Sequence, residues 1–321
     1  MSGHAVDADG PRVTVVVPMH NGTRYLEEAI ESVRDQRFGA WEAVLVDDAS
    51  TDGTPALARE LAARDPRGRI RVVELERNVG VAGARAAAIG AGSQAELVVL
   101  LDQDDLLCDG HLERCVTLFD ERLAAGRRVA IVACDAWMLD DEGRRTSLFS
   151  ERYGWTDVVD YDRMIQRNCI CARALFSREA YERAGGFVTD TQPSDDYDLW
   201  LRIIELGYEV ATTREVLAGY RLHAGATSRD DARMASAAIR VHRRALARRA
   251  VTARQRRALR ARIRHHRALI ERERLRETAA RRDVLATASA AARAGAFGTI
   301  AFVQRPSRWG EWVRGLVRRA S

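Results

Sequence analysis

The chain contains no lysine; all 51 of its basic residues are arginine. That absence excludes a Walker-type phosphate lysine, a Schiff-base lysine and a pyridoxal-phosphate anchor. Asparagine occurs only at Asn21, Asn78 and Asn168. With the excess of alanine and arginine, this reads as genome composition bias, not function. Cysteine is also scarce: Cys108, Cys115, Cys134, Cys169 and Cys171 make an odd count with no C-x-x-C spacing. Free thiols in a reducing, cytoplasmic compartment are the expectation. Cys169 and Cys171 are expected on one face of a strand, a core placement. No stretch reaches the ~18–20 apolar residues of a membrane span; the nearest, 285–303, is broken by Arg293. The opening "MSGHAVDADGPR" is polar and acidic and does not read as a signal peptide. Zinc-finger spacing and RNA-binding motifs are missing as well, so no nucleic-acid partner is expected.

What is present divides sharply by charge. The net charge is +5, yet from Arg229 to Ser321 there are 25 arginines against 7 acidic residues, which leaves the rest of the chain acidic. A basic tail on an acidic body points to an anionic partner for the tail, such as a membrane surface, or to docking of tail on body. In "SRWGEWVRGLVRR", Trp309, Trp312, Val313, Leu316 and Val317 share a helical face flanked by Arg308, Arg314, Arg318 and Arg319. That face suits either an anionic membrane interface or packing on the catalytic domain.

Hydrophobic periodicity sets the organisation: 1–11 a disordered leader, 12–228 an α/β domain, 229–321 a basic helical region. "RVTVVVP" reads as a buried strand stopped by Pro18. A helix follows, with Thr23 as N-cap and Tyr25, Leu26, Ala29, Ile30 and Val33 as its stripe. "WEAVLVDD", "IRVVEL", "AELVVLLD" and "RRVAIVACDAWML" read as further strands, and helical segments alternate with them. "NCICARALF" reads as a strand, "SDDYDLWLRIIELGYEV" as a helix headed by carboxylates, and "VLAGYRLHAGATS" as strand then loop. Thr252 and Gln255 stand at capping-box spacing before an arginine-rich helix. Strands alternating with helices indicate a doubly wound, mostly parallel sheet, which binds ligands at the carboxyl ends of its strands.

The polar clusters fall at those ends. Asp102, Asp104 and Asp105 follow five apolar residues; a D-x-D there suits Mg²⁺ or Mn²⁺ shared with phosphate oxygens, or is a solvated turn. In "VDDASTDGT", Asp48 is the candidate for ligand contact, while Asp52 reads equally as a turn and cap. Asp195 and Asp196 head a helix beside a Gly-Gly turn and a tryptophan, Trp200. They offer a general base near an acceptor pocket, or simply complement the helix dipole. Arg85 in an Ala/Gly helix and His223 in a loop are, alone, unremarkable surface and loop residues.

Together, "VTVVVPMHNGTRYLEEAIESV", "WEAVLVDDASTDGT", "NVGVAGARAAAIGAG", "LVVLLDQDD", "AGGF", "SDDYDLWLRI" and "YRLHAGATS" occur in the order found in family-2 glycosyltransferases. The chain resembles these inverting, hexosyltransferase-like enzymes of the GT-A fold over residues 12–228. The resemblance implies a GT-A type doubly wound sheet flanked by helices, carrying a C-terminal arginine-rich helical appendage. It implies transfer from a nucleotide-diphosphate sugar to a saccharide or lipid-linked acceptor in cell-surface polysaccharide or glycolipid synthesis. It places Pro18, His20, Asn21, Asp48, Arg85 and Asp102 at the nucleotide sugar, and Asp104, Asp102 and His223 at a Mn²⁺ or Mg²⁺ ion. Asp196 becomes the base, with Gly186, Asp195 and Trp200 on the acceptor side. The sequence departs from the family pattern at His20, where an aromatic residue is usual, and at Asp195, where glutamate is frequent. Two other readings use the same carboxylates. A nucleotidyltransferase would add a Gly-rich basic loop, which "PMHNGTRY" lacks, and donor hydrolysis with Mn²⁺ would separate an enzyme from a non-catalytic sugar-nucleotide binder.

Overall fold

The computed structural model describes residues 10–248 and 251–280. Expectations about residues 1–9 and 281–321, the 308–319 amphipathic segment included, lie outside the described residues. The chain forms two compact units that part between Arg229 and Asp230.

The first unit is built on β-branched, uncharged runs that suit strands covered on both faces. β1 (Val13–Met19), β2 (Trp41–Asp47) and β4 (Leu97–Leu100) are buried throughout, and β3 (Ile70–Glu74) closes one edge. These four run parallel in the order β3-β2-β1-β4, with Val13 beside both Trp41 and Leu97. Pro18 does not stop β1: it lies within the strand opposite Val46, and pairing continues to Met19. Beyond β4 the sheet continues through β8 (Leu175–Ser177), β6 (Val129–Leu139), β9 (Glu209–Arg221) and β5 (Leu106–Leu107), with β7 (Arg145–Leu148) paired to β6. β8 is antiparallel to both its neighbours, and β6 and β9 are parallel. The expected strand through Cys169 and Cys171 is confined to three residues, and both cysteines precede it.

Helices cover the sheet. α1 (Leu26–Arg34) buries Leu26, Ala29, Ile30 and Val33, each large side chain contributing about 1.5–3 kcal/mol. Its N-cap is Tyr25, not Thr23, and it makes no side-chain cap. α2 (Thr54–Ala63) follows Asp52, whose Oδ1 accepts from the Thr54 amide at 2.9 Å and its hydroxyl at 2.5 Å. Asp52 thus holds the turn before the helix, whose N-cap is Gly53. α3 (Gly80–Ala91) uses Ala82, Ala84 and Ala88 to approach β1 and β2 closely. α4 (His111–Ala124), α5 (Phe149–Tyr153), α6 (Tyr161–Gln166), α7 (Arg178–Arg183) and α8 (Asp195–Glu205) complete the unit.

The second unit packs α9 (Asp231–Ala247) against α10 (Ala253–Ala280). Thr252 and Gln255 form a reciprocal capping box at 2.9 and 3.2 Å. The His242 and His266 rings stack at 5.4 Å between the two helices. Burial and the Arg262 charge hold both imidazoles neutral, at about 3. No helix among the described residues is long and apolar enough to cross a membrane.

Candidate active site

The carboxyl ends of β1, β2 and β4 converge on one cluster. Asn21 (φ 49°) turns the chain sharply after β1. His20 and Gln103 pair like neighbouring strands: the His20 amide donates to Gln103 Oε1 at 2.9 Å, and Gln103 Nε2 donates to the His20 carbonyl at 3.1 Å. A Cβ on Gly22 would lie 2.0 Å from Gln103 Oε1, so any larger residue there would displace the Gln103 amide from these bonds. The His20 ring meets the Asp48 carbonyl at 2.9 Å and the Asn78 amide at 3.2 Å. Asn21 Oδ1 receives the Thr51 amide at 2.8 Å. These contacts fix the mouth of the first crevice.

Asp48 points its carboxylate away from solvent. Its oxygens accept the Val79 and Gly80 amides at 2.7 and 2.8 Å, which closes the N-terminus of α3, and the residue is 4 % exposed. Arg85, on α3, is equally buried and bridges two carboxylates. Nη2 donates to Asp102 at 2.6 Å and Nη1 to Asp195 at 2.9 Å. Arg173 donates to Asp102 at 2.9 Å and reaches Asp105 at 2.7 Å. Arg221 donates its amide to Asp105 and its Nε to the Asp104 carbonyl, while its Nη2 pairs with Glu28 at 2.6 Å.

Arginines answer part of the crowding of Asp102, Asp104 and Asp105, but burial and the Asp104 and Asp102 charges still hold the Asp105 carboxyl well above its ordinary value. Burial alone would raise the Asp102 carboxyl, but the Arg85 and Arg173 charges outweigh it and hold Asp102 at about 2. Both Asp102 oxygens face guanidinium groups, so Asp102 is an ion-pair residue in this structure. Asp104 differs: its Oδ2 meets His223 Nε2 at 2.8 Å, and no arginine side chain pairs with it among the described residues. Among those residues no three His, Cys, Asp or Glu side chains gather as a complete cation site. Asp104 and His223 nevertheless fit two adjacent positions on a small divalent ion. Ligands about 2.1 Å from an octahedral ion stand about 3 Å apart.

The Asp195–Asp196 pair divides its work. Asp195 is fully buried, with one oxygen on Arg85 and its Oδ1 without a partner. It supports the arginine and is closed to solvent. Asp196 is partly exposed at the start of α8. Burial, and then the Asp195 charge, push its carboxyl up to about 6 against the pull of Arg85. Gly186 (φ 72°) closes the turn after α7. Trp200 corrects the acceptor-side expectation: it is completely buried and packs edge-on against Phe176 at 5.2 Å, beneath α8. Pro18, buried inside β1, supports the site without lining it.

Arg173, Arg221 and Gln103 were not among the candidates drawn from the sequence. Arg221 stands two residues before His223 in a segment already singled out. Gln103 sits inside the D-x-D itself. Arg173 gives no spacing signal.

The fold, a mostly parallel sheet with carboxylates and arginines gathered at its strand ends, is that of the GT-A type glycosyltransferases. A family model described as Glycosyl transferase family 2 matches residues 14–185, more than half of the chain, and the protein belongs to that family. It is similar to a Bacillus subtilis glycosyltransferase named for teichuronic acid biosynthesis, TuaG: 30 % identical over 66 % of this chain and 79 % of TuaG. It is 40 % identical to the succinoglycan biosynthesis protein ExoO of Rhizobium meliloti over 44 % of this chain and 38 % of ExoO. Its fold matches the mannosyltransferase PcManGT of Pyrobaculum calidifontis, solved with GDP-Man and Mn²⁺, with a TM-score of 0.60 at 24 % identity. That match covers 97 % of this chain and 85 % of the other.

Proposed function

We propose that the protein is a metal-dependent, inverting glycosyltransferase that moves a sugar from a nucleotide-diphosphate donor to an acceptor hydroxyl in polysaccharide synthesis. One arrangement supports the reading. The Asp104–His223 pair, which would serve as a two-donor cation site, and the raised, partly exposed carboxyl of Asp196 stand within two residues of the two ends of the Asp102–Arg85–Asp195 ion-pair chain. The Mn²⁺ and GDP-Man of PcManGT support a nucleotide sugar with a divalent ion, and the names of TuaG and ExoO support a polysaccharide acceptor.

Asp104 and His223 would hold Mn²⁺ or Mg²⁺, which supplies Lewis-acid stabilisation to the departing diphosphate. Arg85 and Arg173 keep Asp102 ionised and the D-x-D turn in place. The nucleoside lies in the crevice bounded by His20, Asn21 and the Asp48–Asn78 contact. Asp196 takes the proton of the acceptor hydroxyl as its oxygen bonds to the anomeric carbon, while the bond to the diphosphate breaks with its electron pair. One displacement from the opposite face inverts the configuration.

Asp196→Asn should lower transfer by about 10²- to 10⁴-fold and leave donor affinity, read by calorimetry, close to normal. The wild-type kcat/KM should decline as pH falls through about 6, because only the ionised carboxylate accepts a proton. Linkage gives the opposite sign for stability. The raised carboxyl binds more protons folded than unfolded between about 4 and 6, so its ionisation weakens the fold as pH rises through that window. Asp196→Asn should therefore be no less stable than wild type at neutral pH. Lost donor binding, or normal turnover, would remove Asp196 from the role of base.

A further inference from the structure

Between Asp231 and Glu271 the sequence carries 13 arginines and no carboxylate. Packing of the second unit sorts them by face. On α10, Leu259 and Ile263 are buried, while Arg257, Arg260, Arg264 and Arg267 are exposed. Their spacing of i, i+3, i+7 and i+10 sets them along one side of the helix, over about 15 Å of axis. The ion pairs found on α10 lie further along, at Arg272, Arg274 and Arg276. Those four arginines have no carboxylate partner among the described residues, and four uncompensated like charges held on one rigid face repel one another. Such an arrangement gains from an external anion.

The shape and chemistry of the face select the anion. On this side of α10 the four charges stand in a row. Neither α9 nor α10 contains Phe, Tyr or Trp, so the stacking platforms used for single-stranded nucleic acid are missing. No large apolar side chain is exposed on α10, so this face does not bind by insertion into hydrocarbon. What remains is a flat array of phosphates, which guanidinium groups bind by paired, charge-assisted hydrogen bonds. We infer that the Arg257–Arg267 face of α10 is an electrostatic docking surface for the headgroups of an anionic lipid bilayer. Each arginine near such a surface strengthens binding several-fold. Docking through it holds the enzyme at a membrane without any apolar anchor in α10, and is independent of the chemistry proposed for the sugar site.

The test uses the full chain and co-sedimentation with vesicles of phosphatidylcholine alone or mixed with phosphatidylglycerol. The comparison variant combines Arg257→Gln, Arg260→Gln, Arg264→Gln and Arg267→Gln, all surface changes. Wild type should bind the anionic vesicles only. The variant should bind them at least about a hundredfold more weakly, and about 0.5 M salt should release the wild type. Helical circular dichroism and transfer to a soluble acceptor should be the same in both proteins, which keeps this outcome separate from any failure of the catalytic reading. Equal binding by variant and wild type would overturn the inference. So would equal binding to neutral vesicles, or indifference to anionic vesicles alongside binding of duplex nucleic acid at the same salt.

Discussion

A single nitrogen, Nη2 of Arg173, lies 2.9 Å from an Asp102 oxygen and 2.7 Å from an Asp105 oxygen. The side chain is 1 % exposed, and its guanidinium rests 4.7 Å from the Tyr220 ring centre. It clamps the D-x-D from both sides and so fixes where Asp104 can point. Arg173→Lys keeps one charge but loses the fork. It should fold, raise the donor KM and weaken Mn²⁺ binding by about tenfold or more, and change kcat less. Calorimetric Mn²⁺ titration together with the KM-against-kcat split would check this. Normal metal and donor binding in a merely less stable protein would leave Arg173 a structural residue. The contrast with Asp104 and His223 explains what the sequence could disclose. Those two stand in segments whose residue order resembles a known pattern. Arg173 sits between apolar neighbours in "CICARALF" with nothing at a telling spacing, and only the fold shows which carboxylates it meets. Trp200 failed in the reverse direction: a tryptophan near a candidate base looks like an acceptor platform until its burial is known.

Elements were legible where periodicity was long and unmixed. β1, β2, β4 and α3 follow from continuous apolar runs and a small-residue helix, and their strand ends locate the crevice. The insertion of β8 between β4 and β6 was not legible, because three residues carry no period and the pairing is long-range. Nor was the use made of Asp48, whose carboxylate serves the N-terminus of α3 through two backbone amides that only the packed loop brings to it. Asp48→Ala would remove that acceptor from both half-buried amides, of which the Gly80 amide keeps Asn78 Oδ1 at 3.1 Å. The expected loss is about 1–2 kcal/mol of stability, read by denaturant unfolding, with donor affinity falling as the Asn78–Gly80 turn loosens. Weakened donor binding at unchanged stability would show that the Asp48 carboxylate acts on the nucleotide and not on the helix.

At the scale of the molecule, the candidate site assembles residues from His20 to His223 and draws every one from the first unit. The proposed cation would have two side-chain ligands there, Asp104 and His223, and the chain supplies no lysine for a diphosphate. Each ligand should therefore bind weakly by itself and strongly with the other, since the diphosphate completes the ion's coordination and the ion neutralises the diphosphate. Binding to the folded state raises stability by RT ln(1 + [L]/Kd), about 2.7 kcal/mol at a hundredfold excess over Kd. For a unit of this size that amounts to a shift of roughly 5–10 °C in Tm. Mn²⁺ with a nucleoside diphosphate should produce a shift of that order in the first unit's transition. Either one alone should produce less than half of it, and chelator should return the protein to its starting Tm. Asp104→Ala should abolish the joint increment, because it removes one of the two side-chain donors. Asp196→Asn should retain the increment, because the proposed base on α8 would neither hold the ion nor contact the diphosphate. A full shift from the nucleotide in chelator, or an undiminished joint shift in Asp104→Ala, would mean that the diphosphate is held by the arginines alone, with no ion between it and Asp104.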